Sequence, residues 1–458
     1  MNFYDFLKNK MKKDFHFGEL FLGFSVALVL RVVGLFVSYI FILLVSRLYG
    51  AKGVGVFALS YTFLIIFATI GKMGSDTAFL KYCAENRALK KWILLKDIYK
   101  KILIIATTMS IFVSLFLFFS SNFIADVILK KEYMSLALKI VAFAVFPMVI
   151  LVVFSEGLRG FKQIKEYMLI RFVGLNITAI FFVAVFYLLK QKLNIFSHAF
   201  LKDEYLPVIS FAVSVVVIAV VSFLLWKKFY RKFSDGQIGG SETTTYKEIF
   251  SLSLPLLLSS SLALIIDWSD TVMLGMFRTA EEVGYYNVAI RVGKLLVIIL
   301  VAINTIAAPK FAEFWGKKDI DGLVKIARQS TKLIFWITLP IFLFLLIFPG
   351  FVLSIFGKEF SVASLSLVIL VSGFFFNAIC GSVRLILQMT GYQVYHQNII
   401  FLGAVLNVVL NYYLIPLWGI NGAAFSSTIT MIFWNVVFSI KIKKITGKWI
   451  FYPALYKR

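Results

Sequence analysis

Two long apolar runs, joined by a short polar turn at 278–282, carry ionisable residues well inside them: Asp267 and Asp270 in the first, Arg291 and Lys294 in the second. At ~1.5 Å per helical residue, Asp270 and Arg291 each lie about 12 to 14 Å from the turn, and Asp267 and Lys294 about one turn deeper. The spacing predicts an antiparallel helical hairpin whose two acids and two bases match in depth. A charge near the centre of a bilayer costs at least about 2.5 to 3.5 kcal/mol, so the four must face one another or a watery cavity. Two roles fit them: a buried quartet that fixes helix register, or part of a site for a charged solute.

Further charges lie deep in other apolar segments. Arg31 stands about eleven residues into the first segment, near the midplane, with no acid within a turn of it. Lys72 and Asp76 share one face of the second at the i, i+4 spacing of an intrahelical ion pair. Arg171 and Arg384 stand nearer segment ends, where a long side chain can also snorkel to the headgroups. Once the hairpin quartet cancels, deep bases exceed deep acids. That surplus suits an anionic solute, and guanidinium groups suit phosphate in particular. A chamber for cationic drugs would carry surplus carboxylates instead. Asn176, Asn407 and Asn411 either line such a chamber or bridge helices.

The elements that must hold these residues follow from composition. The chain has 458 residues, 60% hydrophobic and 15% charged, with a mean hydropathy of +0.90. A soluble protein so composed would expose large apolar patches, so the fold class is an all-α polytopic membrane protein. Runs of about twenty apolar residues predict twelve transmembrane helices near 20–48, 54–82, 99–122, 134–158, 167–189, 206–226, 249–276, 283–311, 331–355, 361–388, 393–415 and 420–440. With the N-terminus in the cytoplasm, roughly thirty Lys and Arg fall inside against roughly nine outside, which places both termini in the cytoplasm. The same rule accounts for the formal net charge of +24 without nucleic acid. The first helix, preceded by no cleavage signature, serves as signal and anchor.

The polar stretch 231–248 divides the chain into an N-terminal six-helix bundle (1–230), a cytoplasmic linker (231–248) and a C-terminal six-helix bundle with a basic tail (249–458). Val54-Gly55-Val56-Phe57-Ala58 echoes Val283-Gly284-Tyr285-Tyr286-Asn287 at an offset of 229, and Gly160 to Asn176 echoes Gly391 to Asn407 at 231. Because each half has an even number of helices, the repeats are parallel, related by an axis along the membrane normal. The expected architecture is two pseudo-symmetric bundles forming a V, with a central cavity and the working site at mid-depth between them. Gly71, Gly74, Ser75, Pro147, Pro255 and Pro340 interrupt helices, giving either bending points or close packing.

Enzymatic chemistry finds no constellation. His16, His198 and His396 fall in terminal or loop segments and do not cluster with Asp, Glu or Cys at metal spacing. Cys83 and Cys380 sit singly on apolar stretches as buried small hydrophobes. There is no Walker loop and no G-x-S-x-G, so no catalytic residue, cofactor or metal is expected. Transport would be driven by an ion gradient, the substrate gradient or downstream consumption.

SRLYGAKGVGVFALSYTFLIIF, LSLPLLLSSSLALIIDWSDTVMLG followed by EEVGYYNVAIRVGKL, and NVVLNYYLIPLWGINGAAFSSTIT together resemble the polysaccharide-export flippases of the multidrug/oligosaccharidyl-lipid/polysaccharide exporter superfamily. The resemblance covers nearly the whole chain and is sharpest at Asp270 with Leu274-Gly275, at Val283-Gly284-Tyr285-Tyr286 and at Gly419 to Ala424. It implies a prokaryotic plasma-membrane flippase moving a polyprenyl-(pyro)phosphate-linked oligosaccharide outward by alternating access. The substrate-binding set becomes Arg31, Lys72, Asp76, Asp267, Asp270, Arg291 and Lys294, with Arg31, Arg291 and Lys294 on the pyrophosphate. Expected partners are the lipid-linked oligosaccharide, membrane lipids, a glycan polymerase or other glycan-assembly protein, and H+ or Na+ as coupling ion. Murein-precursor flippases carry two further helices, absent here, which points to another surface glycan. Drug-extruding relatives hold an acid in the first helix where this chain has Arg31. The alternatives are a cation-coupled exporter of small organic molecules and a membrane scaffold for glycan assembly.

Overall fold

A computed structural model describes residues 15–193, 202–234 and 243–451. Among them there is no strand, and helix accounts for nearly everything. Lipid offers the backbone no hydrogen-bond partner, so apolar segments satisfy their own amides as helices. The helices are α1 Phe15–Lys72, α2 Ser75–Ala88, α3 Trp92–Phe123, α4 Met134–Gly160, α5 Leu175–Leu193, α6 Leu206–Ser234, α7 Tyr246–Phe277, α8 Ala280–Gly293, α9 Leu295–Gly316, α10 Ile320–Ile347, α11 Ser364–Cys380, α12 Val383–Met389, α13 Gln393–Trp418 and α14 Ile420–Thr446. Ten helices of the described residues are long and apolar enough to cross a membrane. The protein is an all-α, multi-pass membrane protein.

The predicted segments fall on helices, of which ten rather than twelve qualify as spans among the described residues, and the boundaries differ where one residue redirects the backbone. The first two segments run together as α1, bent at Gly50, whose φ of 66° leaves the helical region. The second stops at Met73 (φ 47°) and Gly74 (φ 72°) before α2 begins. The segment expected from 283 starts at Ala280, where Thr279 caps the helix by accepting from the Glu282 amide, and breaks at Lys294 between α8 and α9. A further break at Gly381, φ 69°, separates α11 from α12. Pro147 and Pro340, by contrast, lie within uninterrupted helices. His396, expected in a loop, is inside α13, buried and stacked on Phe438; its neighbours are apolar enough to carry the helix through it. His198 and part of the linker, 235–242, lie outside the described residues.

The chain forms two compact units, one of Met1–Val45 with Phe63–Ser261, the other of Ser46–Thr62 with Leu262–Arg458. In the first unit, α4 and α6 close on an aromatic nest. Trp226 stacks on Tyr99 with centroids 4.2 Å apart and on Tyr230 at 4.9 Å, and Phe154 lies 5.4 Å away. Gly157 makes room for it, since a Cβ there would lie 2.5 Å from the Phe79 ring and 2.7 Å from the Trp226 indole nitrogen. The chain after α6 docks back at the start of α3. The Thr244 amide donates to Asp97 at 3.0 Å, and its carbonyl accepts from Lys101 at 2.5 Å.

The second unit packs Phe311, Leu323, Val383, Leu387, Phe438 and Ile442 into one core that also takes in Ile450 beyond α14. Here too the chain leaving the last helix returns to the start of α10. Arg328 donates twice to the Trp449 carbonyl, at 3.1 and 3.0 Å, and Lys448 pairs with Asp321 at 2.7 Å. Both units therefore tie off their final helix in the same way.

Candidate functional site

The hairpin α7–α8 positions its acids on different faces. Asp270 is buried, 4% exposed. Its Oδ1 accepts from Asn411 Nδ2 at 2.7 Å, and its Oδ2 accepts from the Tyr286 hydroxyl at 2.5 Å and from the Ser427 hydroxyl. Asn407 and Asn411, one turn apart on α13, present their amides on one face. Asn411 Nδ2 also donates to Asn407 Oδ1 at 3.1 Å, and the Ser269 hydroxyl donates to the same oxygen at 2.5 Å. Helices α7, α8, α13 and α14 thus meet around one carboxylate. Neutral donors satisfy both of its oxygens, and low local dielectric makes each such bond count for more than it would in water.

Asn411 Oδ1 is buried with no hydrogen-bond partner. The cluster therefore offers the Asp270 carboxylate, two amide oxygens and three hydroxyls. An all-oxygen set with one negative charge fits a proton or a hard monovalent cation. No group of three or more His, Cys, Asp or Glu suited to a metal occurs among the described residues.

Asp267 lies three residues earlier and so on a neighbouring face, 60% exposed. Its carboxylate stands 4.0 Å from Lys294, itself 47% exposed. Arg384, also exposed, lies within the electrostatic reach of Asp267. Asp267 thus has one accessible cation beside it, Lys294, with Arg384 within longer electrostatic reach. Arg291 donates to Asn287 at 3.0 Å. The depth matching therefore brings Asp267 to Lys294, whereas Asp270 is turned to Tyr286, Asn411 and Ser427.

In the first unit, Arg31 is exposed and holds its guanidinium 5.6 Å from the centroid of the Phe172 ring. Gly34, one turn further along α1, permits this approach, because a Cβ there would come within 2.8 Å of the Phe172 carbonyl oxygen. Lys72 and Asp76 form a 2.7 Å ion pair across the break between α1 and α2. Asp76 Oδ1 and the hydroxyls of Ser75 and Ser253 are buried without hydrogen-bond partners. Gly74 sits on the Ser253 carbonyl, 2.2 Å from where its Cβ would be.

Sequence reasoning named Asn407 and Asn411 without choosing their role, and it missed Ser427 altogether. The i, i+4 amides on an apolar helix were the available signal. Arg384 was read as equally suited to snorkelling, and nothing in its neighbours pointed to Asp267.

The polysaccharide biosynthesis protein family model matches residues 21–315, and the MatE family model matches 255–413. The chain is 23% identical over 394 residues to an uncharacterized membrane protein of Methanocaldococcus jannaschii, covering 82% of this chain and 74% of that one. It is 25% identical to the probable low-salt glycan biosynthesis flippase Agl15 of Haloferax volcanii, covering 40% of this chain and 39% of the relative. It is 27% identical to a putative O-antigen transporter of Shigella flexneri, covering 50% and 54%. The match thus spans about half or less of the length of these two named relatives. Among solved structures, the lipid II flippase MurJ in an inward closed conformation has the same fold, with a TM-score of 0.71 at 14% identity over 92% of this chain and 87% of that one.

Proposed function

The chain belongs to the polysaccharide biosynthesis protein family, and from that premise we propose that it is a flippase for a polyprenyl-(pyro)phosphate-linked oligosaccharide. It would act by alternating exposure of a headgroup site to the two membrane faces. The observation that carries this reading is the exposed Asp267–Lys294 pair on apolar helices, with Arg384 within its electrostatic reach. A surplus cation on an apolar helix is costly in a bilayer unless a partner or water meets it, and an anionic headgroup would be such a partner. A phosphate or diphosphate is a stronger acceptor for such cations than a single distant carboxylate. Arg31, exposed on an apolar helix of the first unit, is a separate candidate cation for the same anionic class of substrate. The names of the flippase and O-antigen relatives agree with this chemistry.

The coupling ion, H+ or Na+, would act at the Asp270 cluster, whose buried carboxylate has neutral partners. Partners in the membrane would include glycan-assembly proteins, and the protein would lie in the plasma membrane with both termini cytoplasmic. The reading needs no bond made or broken by this chain, so it is not an enzyme.

The test is to remove the protein and identify which lipid-linked species accumulates on the inner leaflet. Accumulation of an oligosaccharide-bearing polyprenyl (pyro)phosphate, relieved by Arg31→Lys but not by Arg31→Ala, is the expected result. Unchanged lipid-linked pools with lost export of organic cations would replace the reading with the cation-coupled exporter.

A further inference from the structure

The Ser46–Thr62 segment belongs to the compact unit built otherwise from the second half of the chain, although it is continuous at both ends with the first. Its seat on that unit is made by two glycines. A Cβ at Gly55 would lie 1.7 Å from the Ala280 carbonyl oxygen, and a Cβ at Gly284 would lie 2.1 Å from the Ala51 carbonyl oxygen. The Gly284 and Gly55 amide nitrogens are each 3.1 Å from the other's Cβ position. Gly55 with Gly284 and Ala51 with Ala280 are the same pair of positions at the repeat offset of 229. The contact is therefore reciprocal, so the two repeats touch themselves across a local two-fold axis, backbone on backbone. Such a seat is tight, backbone against backbone, and the Tyr61 ring meets Trp268 edge-on with centroids 5.4 Å apart beside it.

Two charged side chains add hydrogen bonds at its start. Glu359 accepts from the Ala51 amide at 2.7 Å, just past the bend at Gly50, where the helical amide has lost its own partner. Arg47, one turn before the bend, donates to the Ile355 carbonyl at 2.8 Å and the Ser354 carbonyl at 3.3 Å. Those carbonyls close the short helix Pro349–Ser354, an end that attracts a cation. Both side chains are exposed, and the Arg47 bonds are open to water while the Glu359 bond is partly buried. The core glycine contact and the exposed ionic clasp have opposite characters: one sets the closed geometry, the other is breakable.

We propose that Ser46–Thr62 is a releasable latch, clasped shut on the second unit by Arg47 and Glu359 and seated on the Gly55–Gly284 contact. Opening it exposes Ala51 and Ala280 to water. The inference extends the flippase reading, because a carrier needs a closure that can come undone, but its test does not use the substrate.

Cysteine is placed at Ala51 or Ala280, both buried, in protein whose own Cys83 and Cys380 are replaced by Ala. The purified protein in detergent is exposed to a water-soluble maleimide. Labelling should be slow with Arg47 and Glu359 intact. In Arg47→Ala and in Glu359→Ala it should rise at least about tenfold, the change set by losing one hydrogen bond to a charged group. Both replaced side chains are exposed, so neither change opens a core cavity. Unchanged labelling at both positions in both variants and in the double variant overturns the latch and leaves the flippase reading standing. Faster labelling in protein that moves no lipid-linked glycan sustains the latch and removes that reading.

Discussion

Replacing Tyr286 by Phe deletes the hydroxyl that reaches Asp270 at 2.5 Å and leaves Oδ2 with the Ser427 hydroxyl as its remaining donor. Because the acceptor is a buried carboxylate, the loss should cost about 1.5 to 3 kcal/mol of stability. A neutral hydrogen bond between membrane helices averages about 0.6 kcal/mol, so the charge on Asp270 decides the size of the effect. In an Asp270→Asn background the same Tyr286→Phe change should therefore cost no more than that smaller amount. The difference, a coupling of at least about 1 kcal/mol, is measured by a double-mutant cycle, with unfolding followed by SDS titration in mixed micelles. Additivity within about 0.5 kcal/mol would refute the coupling of Tyr286 to Asp270 at this junction.

Gly284→Ala should destabilise by about 1 to 3 kcal/mol through overpacking, since its Cβ would meet the Ala51 carbonyl at 2.1 Å; a melting point equal to the parent's would count against the contact. Asp76→Asn with Lys72 left in place should cost about 3 to 5 kcal/mol, because a largely buried ammonium loses its partner, while Lys72→Met combined with Asp76→Leu should recover much of it in the same melt. Asp267→Asn should barely move stability, as a half-exposed pair contributes at most about 1 kcal/mol, yet should tighten binding of a polyprenyl diphosphate in nanodiscs. Lys294→Ala should weaken that binding; loss of fold in either variant without a change in affinity would make the pair structural.

Much of the site was legible one helix at a time. The depth rule placed Lys294 against Asp267 because helical rise is constant, and the hairpin turn supplied the origin. The same rule is silent on which face each charge takes, since depth says nothing of rotation about the axis. Asp267 and Asp270 are three residues apart, and that angular step separates an exposed acid from a buried one. Lys72 and Asp76 were paired on the assumption of a continuous helix; they pair across a break instead, because the short link at Met73 and Gly74 keeps the two side chains adjacent.

By itself, the sequence determined that this is a helical membrane protein built from repeats, and which residues carry charge into the apolar layer. Those properties are local, because a bilayer judges each segment by its own run of apolar side chains. What joins distant segments was settled in three dimensions. Asp270 finds Asn411 141 residues away, and Glu359 reaches the Ala51 amide across 308. The repeat made Gly55 and Gly284 equivalent on paper, yet only close packing brought them into contact. Missing side chains leave no mark of what will fill the space, and contact between backbones is decided by shape.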